Sequence, residues 1–155
     1  MQRIPSFCID HTRLEKGVYL SRQDDDVLTW DVRIKRPNQG DYLAVPALHT
    51  MEHLFATYAR NSEWKDGVIY IGPMGCRTGM YFLTRGLSND QVLDCIRESF
   101  RFMASFEGEI PGTKPEECGN FAEHDLEGCK KESAEFLKVL EKLTPEGMKY
   151  QYYLK

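Results

Sequence analysis

His49, Glu52 and His53 stand in a single H-x-x-E-H run, His49-Thr50-Met51-Glu52-His53. On a helix this spacing sets the two imidazoles about 40° apart around the axis and the carboxylate about 60° to the other side. Two imidazoles that close can ligate one metal ion, with the carboxylate left free for proton transfer, as in the inverzincin pattern. Two ligands hold a metal weakly, so the chain has to supply a third. Cys118, in Glu117-Cys118-Gly119-Asn120, sits in a loop segment where the following glycine allows close backbone approach, a common setting for a thiolate ligand. As a free cysteine it could equally be a small buried hydrophobe. Two imidazoles, one thiolate and an open position would make a catalytic tetrahedral site, and this donor set does not distinguish Zn2+ from Fe2+.

Cys76 is the second thiol with chemical potential, lying in the glycine-rich turn Gly72-Pro73-Met74-Gly75-Cys76-Arg77-Thr78-Gly79 beside a cation, Arg77, that would favour its thiolate. From this segment alone, a tight turn carrying an incidental cysteine is the simpler account. Cys8, Cys95 and Cys129 fall in apolar patterns and read as structural. Near the start, Ser6-Phe7-Cys8-Ile9-Asp10-His11-Thr12 offers polar groups that fit an ordinary surface strand, and Arg33 is expected on a solvated strand face. His124, just before Asp125, fits a helix-start residue as well as a ligand.

These residues need elements to position them, and the chain reads as α+β. From Val27 to Lys35, Leu28, Trp30, Val32 and Ile34 alternate with polar residues, the period of a strand buried on one face. Segments 17–21, 68–71 and 79–84 are further strand candidates bounded by glycine, and together they predict a small, mostly antiparallel sheet. Three helices are expected: one carrying the H-x-x-E-H run to about Arg60, one opened by a Ser88–Gln91 capping box and running to Glu107, and one from Leu126 to Leu143 ahead of Pro145. Residues 108–120 read as a loop.

At 155 residues the chain is long enough for one domain, 1–155, with a sizeable core. The net charge of −4 and the scattered basic residues argue against a nucleic-acid partner. No stretch approaches the roughly 18 apolar residues of a membrane span, and no apolar signal region follows the start, so a cytoplasmic protein is expected. Five cysteines without a C-x-x-C pair fit reduced thiols.

With the H-x-x-E-H run, Pro73-Met74-Gly75-Cys76-Arg77-Thr78-Gly79, Glu117-Cys118-Gly119-Asn120-Phe121, Ser6-Phe7, Asp10-His11-Thr12, Asp31-Val32-Arg33 and His124-Asp125-Leu126 in one chain, the sequence resembles the S-ribosylhomocysteine lyase (LuxS) family. The resemblance implies a homodimer whose active sites lie across the subunit interface. It implies His49, His53 and Cys118 as metal ligands, Glu52 and Cys76 as the acid/base pair, and Ser6, His11 and Arg33 as groups reaching the substrate from the partner subunit. The implied metal is Fe2+, replaceable by Zn2+ or Co2+. The implied reaction splits S-ribosylhomocysteine into homocysteine and 4,5-dihydroxy-2,3-pentanedione, the autoinducer-2 precursor. One departure stands out: Tyr70-Ile71-Gly72 replaces the family's usual Asp-x-Ser, removing a carboxylate and a hydroxyl from the expected pocket wall.

Two other readings compete. A hydrolase in which Glu52 activates a metal-bound water would have no need of Cys76, and Cys76→Ala would stay active. A structural metal would require a fourth protein ligand, for which His124 is the candidate.

Overall fold

A computed structural model describes residues 1–155. Four strands, β1 (Gly17–Asp24), β2 (Val27–Arg33), β3 (Val68–Pro73) and β4 (Gly79–Arg85), form one antiparallel sheet in the order β1-β2-β4-β3. Three helices, α1 (Val45–Asn61), α2 (Asn89–Ser105) and α3 (Leu126–Lys142), complete the α+β architecture. All four strand candidates and all three helices expected from the sequence are present. β1 runs three residues further than its apolar pattern, through the exposed Arg22, Gln23 and Asp24. The 108–120 segment is a loop, as expected.

The period-2 pattern of β2 aims Trp30 and Val32 at the helices, cross-strand from Phe82 and Met80 of β4. Against this face pack Leu48, Met51, Leu54 and Phe55 of α1, with Phe55 meeting the rings of Phe82 and Phe100 at 5.4 and 5.5 Å. The Ser88–Gln91 capping box forms with both of its bonds, and Asp125 caps α3 by accepting the Gly128 N–H. Cys95 and Cys129 are buried in the helical core, where burial pushes both thiols up to about 11, in keeping with structural roles.

The other face of β2 departs from the expectation of a solvated polar surface. Asp31, Arg33 and Lys35 are only 3%, 4% and 4% exposed. Asp31 accepts a hydrogen bond from Tyr150 of the C-terminal segment, and Arg33 lies 3.7 Å from the Asp31 carboxylate. Lys35 is held between Asp41 at 3.1 Å and Glu132 of α3 at 2.8 Å. Alternation in sequence identified the core face correctly, but distant segments cover the polar one.

Candidate metal centre and active-site cavity

The H-x-x-E-H run lies mid-helix on α1, and the 108–125 segment folds back over it. His49 donates from Nδ1 to the Glu123 carbonyl, and His53 donates from Nδ1 to the Pro111 carbonyl, both at 2.8 Å. A carbonyl only accepts, so both rings carry a proton on Nδ1, which leaves Nε2 as the nitrogen that would ligate a metal in the neutral tautomer. Cys118 Sγ lies 3.4 Å from His49 Nε2 and 3.8 Å from His53 Nε2. Ligands of one tetrahedral ion at bond lengths of about 2.1–2.3 Å would stand about 3.5 Å apart, so the trio has the right dimensions. Gly112, at φ +75°, lets the loop settle on His53, because a Cβ there would sit 3.0 Å from His53 Nδ1.

His124 joins this trio, which the sequence left undecided. Its ring stacks on His49 with centroids 3.9 Å apart and meets His53 edge-on at 4.7 Å. The donor atoms of His49, His53, Cys118 and His124 all lie within 4.8 Å of one another. Thr50 links His124 to α1: its hydroxyl accepts the Asp125 N–H at 2.9 Å, donates to the Pro46 carbonyl at 3.1 Å, and lies 3.1 Å from His124 Nδ1. With the hydroxyl proton committed to Pro46, His124 donates from Nδ1, and its Nε2 keeps a lone pair that is buried and unpartnered. Burial, and then the charges of His49 and His53, push His124 down to about 4. A buried lone pair without a donor is costly, and a cation in the cluster would relieve it. The donor set therefore fits a metal. His124→Ala is expected to weaken Co2+ binding about 10- to 100-fold in a competition titration, the usual effect of removing a group that braces metal ligands.

A separate cavity of about 490 Å3 opens beside the β3–β4 turn, with Ser6, His11, Asp31, Arg33, Cys76 and Thr78 on its walls. The turn is pinned on several sides. Met74 donates to the Gly79 carbonyl, Arg77 donates to Met74, and the Thr78 carbonyl accepts from both Ile34 and Lys35. Arg77 takes φ +59°, a conformation that strains a non-glycine residue. Gly79 allows β4 to start close against β2, since a Cβ there would run into the Val32 carbonyl. Cys76 is exposed, with Sγ 3.1 Å from Thr78 Oγ1 and 4.0 Å from Arg33 Nη1. The cation at the thiol is therefore Arg33. Arg77, expected in that role from adjacency, instead sits over the Tyr42 ring at 5.6 Å and donates to the Leu43 carbonyl.

The N-terminal segment is not the extended strand that its alternation suggested. Residues Pro5–Phe7 form a short 3-10 turn, and Asp10 accepts from both the N–H and the hydroxyl of Thr12 in a local turn. His11 donates from Nδ1 to the Ile9 carbonyl at 2.9 Å.

The structure thus sorts the expected residues into two groups. Cys76 keeps company with Ser6, His11 and Arg33, whereas Glu52 stays on α1 with the metal ligands, and no residue of the metal cluster lines the cavity. Asp31 and Thr78 line the same cavity, and Tyr150, outside its lining, holds Asp31; none of the three was given a role from the sequence. Asp31 had a local signal, two residues before Arg33 on the same strand face. Tyr150 had none, because its partner lies 119 residues away.

An H-x-x-E-H helix braced against a four-stranded antiparallel sheet, with an imidazole–thiolate cluster on its face, defines a small α+β protein with a metal-binding centre. The chain belongs to the S-ribosylhomocysteinase (LuxS) family, whose model matches residues 4–146. It is 49% identical to the S-ribosylhomocysteine lyase of Phocaeicola vulgatus, over 97% of this chain and 98% of that one. It is 48% identical to the protein of the same name from Porphyromonas gingivalis and 42% identical to that from Borreliella afzelii, each over 97% of this chain and 99% of the relative.

Proposed function

We propose that the chain cleaves S-ribosylhomocysteine to homocysteine and 4,5-dihydroxy-2,3-pentanedione. The observation that carries this reading is the pairing of an imidazole–imidazole–thiolate donor set with a second, exposed thiol held beside a buried guanidinium. The two products together contain all the atoms of the substrate, so no water, oxidant or reductant enters. The reaction consists of proton transfers and one C–S cleavage. The carbonyl of the open-chain sugar moves from C1 to C2 to C3 by two enolisations, and removal of the C4 proton then expels homocysteine from C5 as its thiolate.

His49, His53 and Cys118 would hold a divalent ion, which when bound supplies Lewis acidity to neighbouring sugar oxygens. Cys76 takes a proton from one carbon and returns it to the next. Glu52, beside the ligands on α1, moves the hydroxyl protons. Ser6, His11 and Arg33 orient the sugar from the cavity. We assign Fe2+ as the cellular metal, with Zn2+ or Co2+ able to replace it, as the mixed nitrogen and sulfur donors suit all three.

The same geometry supports a homodimer. One protomer carries thiol and metal cluster in groups that share no residue, and Phe7, Tyr42 and Tyr81 leave apolar surface exposed around the cavity. We place each active site where the cavity of one subunit meets the metal centre of the other. The chain acts as one domain, 1–155, in the cytoplasm; its five cysteines are free and no helix is long and apolar enough to cross a membrane.

The test is product identity. The dicarbonyl trapped with o-phenylenediamine should appear in equal amount to homocysteine, whereas free ribose would establish a hydrolase in which Glu52 activates water. We infer that the Tyr70-Ile71-Gly72 departure alters substrate affinity, although Tyr70 and Gly72 lie on β3 outside the lining of the Cys76 cavity. Tyr70 is exposed and its ring lies over Gly72, where any Cβ would come within 2.6 Å of it. Installing the family's side chains together, as Tyr70→Asp/Gly72→Ser, is expected to lower KM about 3- to 10-fold, the worth of one restored hydrogen bond. An unchanged KM would contradict this.

A further inference from the structure

We propose that Thr78 is a positioning residue for Cys76, relaying the Arg33 guanidinium to the thiol sulfur through its hydroxyl. The argument is one of donor and acceptor capacity. A guanidinium has only donors, so the 2.7 Å contact between Arg33 Nη1 and Thr78 Oγ1 makes the hydroxyl oxygen the acceptor. The single hydroxyl hydrogen is then free to be donated. Two acceptors are within reach: Cys76 Sγ at 3.1 Å and the Met74 thioether at 4.0 Å. The nearer sulfur is also the better acceptor, most of all as a thiolate.

The geometry leaves Thr78 little freedom to do otherwise. It is only 2% exposed, its carbonyl is fixed by the Ile34 and Lys35 N–H groups, and its β-branched side chain is stiff about χ1. Arg33 is equally fixed, buried against Asp31, which Tyr150 holds in turn. The guanidinium stands 4.0 Å from the sulfur, at the far limit of a direct contact, whereas each of the two groups makes a closer contact with the Thr78 hydroxyl. This inference rests on the proposed role of Cys76 as the proton-transfer thiol and extends it to the group that aims and polarises that thiol.

The experiment compares Thr78→Val, which keeps shape and loses the hydroxyl, with Thr78→Ser, which keeps the hydroxyl, both loaded with Co2+. Alkylation of Cys76 by iodoacetamide at neutral pH, followed by peptide mass spectrometry, should slow about 10- to 100-fold in Thr78→Val, the factor carried by one hydrogen bond to a charged group. Thr78→Ser should remain within about threefold of the wild type. Homocysteine release should fall in kcat, with metal content unchanged. Wild-type alkylation and turnover in a folded Thr78→Val would overturn the proposal, as would equal losses in Thr78→Ser. If Thr78→Val fails to fold, Thr78→Ala carries the same expected loss and the same overturning result. The alkylation arm needs no substrate, so it still decides the role of Thr78 if the wild type releases no homocysteine.

Discussion

Cys118→Ala is expected to strip the protein of stoichiometric metal while leaving the fold intact. Structural zinc sites with about 10–16 kcal/mol of binding free energy draw about 2.5–4 kcal/mol from each of their four ligands, so losing one of the three proposed protein ligands here should cost a factor of about 10²–10³ in affinity. The loss should sit near the upper end here, because the thiolate is the one anionic donor among neutral imidazoles. Cys118 lies in the loop outside the helical core, so secondary structure by circular dichroism should not change. A Cys118→Ala protein that binds Co2+ with wild-type affinity would place the metal elsewhere.

The second large effect tests the proposed division of the site between subunits. Cys76→Ala and His53→Ala should each be inactive as homodimers, Cys76→Ala by about 10²–10⁴-fold through loss of the proton-transfer group and His53→Ala through loss of a ligand. When the two variants are unfolded, mixed and refolded together, half of the dimers are mixed, and each mixed dimer carries one intact site built from an unaltered Cys76 cavity and an unaltered metal centre. Activity should return to about a quarter of the wild type. No recovery from a folded, metal-bearing mixture would mean that thiol and metal act within one chain. The prediction comes from the structure, which groups Cys76 with Ser6, His11 and Arg33 around one cavity.

What the sequence revealed, and what it did not, follows the range of the interactions involved. The helices were legible because their signals are local: the Ser88–Gln91 capping box is complete within four residues, and the spacing of Leu48, Met51, Leu54 and Phe55 is that of one helix. His49 and His53 were legible for the same reason, standing one turn apart. Cys118 was a candidate by residue type and by its loop setting before Gly119, but its partner was not legible, because its approach to His49 spans 69 residues. The buried side of β2 misled, since Asp31, Arg33 and Lys35 alternate as a solvated face would while Tyr150 and Glu132 arrive from the far end of the chain. Adjacency also misled at Cys76. A left-handed Arg77 turns its side chain away from the thiol, and Arg33, 43 residues earlier, takes its place. His124 was undecided because its setting exists only once the loop closes on α1 through Thr50.

The central claim is that this chain splits S-ribosylhomocysteine with a metal and the Cys76 thiol. Anaerobic incubation of the Fe2+-loaded protein with S-ribosylhomocysteine, monitoring free homocysteine thiol with Cys76→Ala alongside, tests it most directly. Release by the wild type and none by the variant is the expected result. No release by a folded, metal-loaded wild type, or equal release by Cys76→Ala, would contradict it.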